Sequence, residues 1–67
     1  MARPLPELRD YRTKHGLTCR DMGERLGVSD ATISRWENGE RSPDRQYIPV
    51  LAELTGVDPL EIAGIGA

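Results

Sequence analysis

The sequence predicts an all-α fold of five short helices. Apolar residues recur at helical intervals, and the intervals are bracketed by side chains that start helices and by glycines that stop them. Prolines stand where helices begin, at Pro6 and Pro59, instead of interrupting their interiors.

Taken in order, Pro6 suits a first helical position, and Leu8, Tyr11, Arg12 and His15 keep the helical interval up to a stop at Gly16. Thr18 is a side-chain N-cap for a second helix that runs to Leu26, with Met22 and Leu26 four apart on one face. Gly27 ends it, because glycine enters the left-handed conformation without the steric cost other residues bear, and Val28 then returns to the core. Ser29 caps a third helix in which Ile33 and Trp36 repeat until Asn38 and Gly39. The longest loop runs from Gly39 to Asp44 and contains Pro43. Tyr47, Ile48, Leu51, Ala52 and Leu54 form a fourth helix that Gly56 ends, with Pro49 in its first turn. Asp58 caps a last short helix, with Pro59 first and Glu61 three residues beyond the cap, the spacing of a capping box.

About three residues separate the second and third helices, the length at which two helices cross steeply, so residues 18–39 read as a helix-turn-helix. At about 100° per residue, Ser29, Ile33 and Trp36 share one side of the third helix, and Ala31, Ser34, Arg35 and Asn38 centre on the other. That outer face is small, polar and basic, as a helix entering a DNA major groove requires. Arg35 suits guanine O6 and N7, and the Ala31 methyl suits a thymine methyl. Asp30 accepts from a cytosine amino group but is repelled by phosphate, which makes it a specificity residue and not an affinity residue.

The run L-G-V-S-D-A-T-I-S-R-W-E-N-G, followed by E-R-S-P and L-A-E-L-T-G-V-D-P-L, resembles the Cro/cI-type (Xre-like) family of prokaryotic and phage repressors. The resemblance covers roughly Leu8 to Ile62. It implies a compact five-helix, lambda-repressor-like domain that binds double-stranded operator DNA, usually as a homodimer on a two-fold symmetric site. It places Asp30, Ala31, Thr32 and Arg35 at base-reading positions and Thr18, Cys19, Arg20, Ser29, Ser34, Asn38, Arg41 and Arg45 near phosphates. Arg12 and Glu37 match a pair that joins the first helix to the end of the recognition helix. Two positions depart from the family pattern. Cys19 stands where members often carry a phosphate-holding Gln, for which a thiol substitutes poorly, so more of the grip falls to Arg41 and Arg45. Gly23 replaces a usual Ala, which permits close helix packing at about 1 kcal/mol of helix propensity.

Sixty-seven residues make one domain near the lower size limit for a single core, and one cysteine allows no internal disulfide. Dimerisation would add burial. No apolar run is long enough to span a membrane, and the start M-A-R-P-L-P lacks a signal peptide's apolar segment, so a soluble, reducing, cytoplasmic setting is expected. The net charge of −2 and a sequence pI near 5.2 run against a nucleic-acid binder. Distribution answers this: residues 1–20 carry five Lys or Arg against Glu7 and Asp10, and Arg35, Arg41 and Arg45 follow near the proposed groove. The acidic surplus falls later, much of it at Glu53, Asp58 and Glu61.

Simpler roles compete for several residues. Trp36 at helical spacing reads as core and not as a stacking platform. Arg12 with Glu37 has the alternative of a surface pair worth under about 1 kcal/mol, and Arg41 and Arg45 of solvated charges. Cys19 is a small neutral residue, and His15 has a helix-end role. Leu60, Ile62 and Ile65 are assigned to a subunit interface, with closure of the core the alternative for Leu60 and Ile62. The chain shows no nucleophile-and-base constellation, phosphate loop or metal-ligand cluster, so neither catalysis, a cofactor nor a metal is expected. Two binding roles remain: a Cro-like regulator without an inducer or self-cleavage domain, or an antitoxin-like module that holds a protein partner and binds DNA for autoregulation. The near absence of chain past Ile62 favours the first.

Overall fold

The chain runs α1 (Pro6–Lys14), α2 (Cys19–Leu26), α3 (Asp30–Asn38), a 3-10 turn (Arg45–Tyr47), α4 (Ile48–Thr55) and α5 (Pro59–Ile62). The computed structural model describes residues 3–64, and among them there is no strand. The all-α expectation and the order of the five helices hold. Tyr47, expected inside α4, lies one step earlier in the 3-10 turn.

Local chemistry sets most of these boundaries. Thr18 Oγ1 accepts the Asp21 N–H at 3.1 Å while the Asp21 carboxylate accepts the Thr18 N–H at 3.0 Å, a reciprocal capping box. The Asp21 carboxyl is held below its ordinary range by the backbone and side-chain hydrogen bonds from Thr18. Ser29 Oγ accepts the Thr32 N–H at 3.1 Å and so caps α3. The box expected between Asp58 and Glu61 does not form. Asp58 Oδ1 accepts the Leu60 N–H at 2.8 Å, and the Glu61 carboxylate turns to Arg3 at 3.9 Å.

At their C-termini, α2 and α3 close alike. The Val28 N–H reaches back to Gly23 O and the Glu40 N–H to Arg35 O, both at 2.9 Å. Each bond spans a glycine, Gly27 at φ +78° and Gly39 at φ +76°, where a side chain would be strained.

The core takes one or more residues from each helix: Leu8, Met22, Ile33, Trp36, Leu51 and Ile62, with Leu5 and Val57 from the connecting segments. α2 packs mainly on α3, α1 bridges α3 and α4, and α5 lies on α4. The Trp36 ring, 2% exposed, meets Tyr47 at 5.4 Å between centroids, which fastens the loop after α3 to the core. The radius of gyration, 10.7 Å, matches the roughly 11 Å of a globule this long.

One assignment is corrected. Ile62, placed at a subunit interface, is 3% exposed and closes the core, the alternative weighed for it. Leu60, two residues earlier and therefore about 200° around the helix, is 59% exposed and stays available to a partner. Ile65, the third residue assigned there, lies outside the described residues. No helix among those residues is long and apolar enough to cross a membrane.

Candidate nucleic-acid interface

α3 is seated by its inner face and held at both ends. Ile33 and Trp36 enter the core, as the helical phase requires. At the start, Ser29 caps the first turn; its residue falls on the inner side by phase but remains exposed. At the far end, the Arg12 guanidinium donates to both Glu37 carboxylate oxygens, Nε at 3.0 Å and Nη2 at 3.2 Å. Its Nη1 also donates to Leu17 O at 3.2 Å, so one side chain ties α1, the turn into α2 and the end of α3. The two side chains are 17% and 8% exposed, which makes this a desolvated fork and not the surface pair weighed above. Glu37 hydrogen-bonds raise the Arg12 pKa further, so the guanidinium keeps its charge.

The backbone adds a connection that no sequence pattern announced. Leu5 N–H donates to Glu37 O at 3.1 Å, filling one of the carbonyls left open at the end of α3.

Of the residues expected to read bases, Asp30, Ala31 and Arg35 are exposed and Thr32 is half-buried. Asp30 Oδ1 accepts the Ala31 N–H at 2.8 Å, and Arg35 makes no ion pair among the described residues. Ser29 Oγ and Thr32 Oγ1 lie 2.8 Å apart as a hydrogen-bonded hydroxyl pair. Among the residues expected near phosphate, Thr18, Arg20, Ser29, Asn38, Arg41 and Arg45 are exposed, whereas Cys19 and Ser34 are half-buried. Asn38 Nδ2 donates to Ser34 Oγ at 3.4 Å, one helical turn away on the same face. Arg20 lies 3.6 Å from Glu24, but both side chains are well exposed, so this contact holds Arg20 only weakly. The Cys19 side chain packs against the core, which suits a small neutral residue. His15 caps the end of α1, the helix-end place expected for it, and its ring packs tilted against Tyr11 at 4.3 Å between centroids.

The outer face of α3 thus presents Ala31 and Arg35, with Asp30 exposed in the first turn and Thr32 half-buried on the flank, on a helix held by a cap, a fork and a main-chain bond. The turn leading into α3 is closed more tightly than the sequence indicated. A Cβ placed on Gly23 would lie 2.5 Å from Val28 O and within 3.3 Å of two Ser29 backbone atoms.

The model of the helix-turn-helix domain family matches residues 7–63. An uncharacterized HTH-type transcriptional regulator of Methanocaldococcus jannaschii is 37% identical over 51 residues, covering 76% of this chain and 77% of that protein. No solved structure matches the chain. With α2 and α3 packed together across a turn closed at Gly27 and capped at Ser29, and with the family match spanning residues 7–63, the chain belongs to the helix-turn-helix domain family.

Proposed function

We propose that this protein is a sequence-specific double-stranded DNA-binding transcriptional regulator of the Cro/cI (Xre-like) type, a repressor that acts as a homodimer on a two-fold symmetric operator. α3, with its cap at Ser29, lies in the major groove. Asp30, Ala31, Thr32 and Arg35 meet base edges, and Asn38, Arg41 and Arg45, with Thr18, Cys19, Arg20, Ser29 and Ser34, lie along the phosphates. The observation that carries this reading is the outward face of α3: Ala31, Arg35 and Asn38 are exposed together on a helix fixed at both ends. A positioned guanidinium and a small methyl are what direct readout requires, and rigid placement of them is what makes the readout selective. Leu60, a large apolar side chain that α5 leaves exposed among the described residues, is assigned to the subunit contact.

The test is selection of binding sites from random duplex DNA, with sedimentation of the free protein and of the complex. The reading expects an inverted repeat with half-sites about 34 Å apart, one helical turn, and a complex of two chains per site. A selection that returns no enriched sequence would refute it and favour the protein-binding role, with partner capture in place of operator control.

A further inference from the structure

We propose that Thr32 is a specificity residue that reads a thymine 5-methyl group through its own methyl and not through its hydroxyl. This rests on the DNA-binding reading above and narrows what α3 recognises. The hydroxyl is engaged within the protein: Thr32 Oγ1 lies 2.8 Å from Ser29 Oγ. Ser29 Oγ also accepts the Thr32 main-chain N–H at 3.1 Å, so the two residues are joined twice across the first turn. Rotating the Thr32 side chain about Cα–Cβ would give up the shorter of those bonds, so the pair favours one rotamer. The neighbouring polar group is engaged as well, since Asp30 Oδ1 accepts the Ala31 N–H at 2.8 Å.

Side-chain staggering completes the argument. Oγ1 and the γ-methyl occupy different wells about Cβ, so fixing Oγ1 on the N-cap serine also fixes the methyl. Thr32 is half-buried, and it sits about 100° around the helix from Ala31. It lies on the flank of the exposed face, beside Ala31 and on the side toward Arg35. A methyl held there meets the one apolar feature of a major-groove edge, the thymine 5-methyl. On this proposal Ser29 has a second task besides capping, which is to hold the Thr32 side chain in one rotamer through the hydroxyl pair.

The experiment uses the full chain and the duplex recovered by selection, in which each thymine is replaced in turn by deoxyuridine, removing only the methyl. Wild type is expected to lose about fourfold in affinity at the thymine that Thr32 meets in each half-site, the worth of one buried methyl group, separately from any loss at the thymine that Ala31 meets. Thr32→Ser, which keeps the hydroxyl pair and deletes the protein methyl, should bind the thymine and uracil duplexes equally at that position. Thr32→Val, which keeps the methyl and deletes the hydroxyl, should retain the discrimination. Thermal melting of both variants checks that the helix start is intact. Loss of discrimination in Thr32→Val with retention in Thr32→Ser would overturn the proposal and assign the readout to the hydroxyl. Thymine-to-uracil effects that are the same in all three proteins would also overturn it while leaving the DNA-binding reading standing. Absence of binding to any duplex would instead remove the parent reading, and this proposal with it.

Discussion

Replacing Gly23 with alanine sets two effects of known sign against each other. In a helix interior alanine is favoured over glycine by about 1 kcal/mol, part of it through the unfolded chain. By propensity alone, Gly23→Ala would stabilise α2. The new Cβ, however, would lie 2.5 Å from Val28 O, and ordinary contact begins at 3.4 Å. The turn would have to retreat by about 0.9 Å, and the obstacle is main chain, so no rotamer change relieves it. Retreat is resisted because the Val28 N–H and the Gly27 N–H both donate to Gly23 O. Overpacking of this kind costs about 1–3 kcal/mol, which exceeds the propensity gain over most of its range. The expected net effect is a loss of about 1 kcal/mol, read as a drop of about 4–8 °C in Tm for a chain of this size. Urea unfolding with an unchanged m-value should give the same figure. Because Val28 leads directly into the Ser29 cap, the displacement also reaches the start of α3. Operator affinity should therefore fall at temperatures where the variant is fully folded. A variant more stable than wild type by 0.5–1 kcal/mol would refute the reasoning, since it would mean that the turn yields without cost.

Four further outcomes test the remaining claims. Arg35→Ala should cost about 1–3 kcal/mol on the selected operator and relax preference at one base pair, with little change on random DNA; equal losses on both would reduce Arg35 to a phosphate contact. Arg45→Ala should weaken all duplexes alike and lower the slope of log K against log salt by roughly one unit, and an unchanged slope would take Arg45 out of the interface. In a double-mutant cycle on Arg12 and Glu37, stability measurements should give a coupling of about 1–2 kcal/mol. Arg12→Ala should be the more damaging single change, because it strands a carboxylate that is 8% exposed and also unpairs Leu17 O. For Asp21, whose folded pKa is depressed, the stabilisation is present above the unfolded value near 3.8 and is lost as pH falls through the lower folded value. Asp21→Asn should flatten the acid limb of a stability-against-pH curve below about pH 4. A residual slope is expected from Glu7, whose carboxyl is held low by its hydrogen bonds from Arg3.

The helices and their ends were legible because they depend on neighbours in sequence. Caps at Thr18 and Ser29 and stops at Gly27 and Gly39 act across three to five residues, a range in which spacing already fixes geometry. The inward phase of Ile33 and Trp36 follows from the helical repeat for the same reason. The Arg12–Glu37 pairing came from family resemblance, and composition alone could not have supplied it, since the partners are 25 residues apart in sequence.

By itself, then, the sequence determined the order of five helices, most of their ends and which side of α3 faces outward. Tertiary packing decided the rest. It sent Ile62 into the core and left Leu60 exposed, a choice that depends on where α4 lies against α5. It turned Arg12 and Glu37 from a matched pair into a desolvated fork, and it closed the Val28 carbonyl onto Gly23. It also left Ser29 and Thr32 sharing a hydrogen bond between hydroxyls, although the cap itself was readable. The physical reason is one of range. Periodicity and capping are settled within a helical turn, whereas burial, ion-pair desolvation and close backbone approach exist only after separate helices have packed.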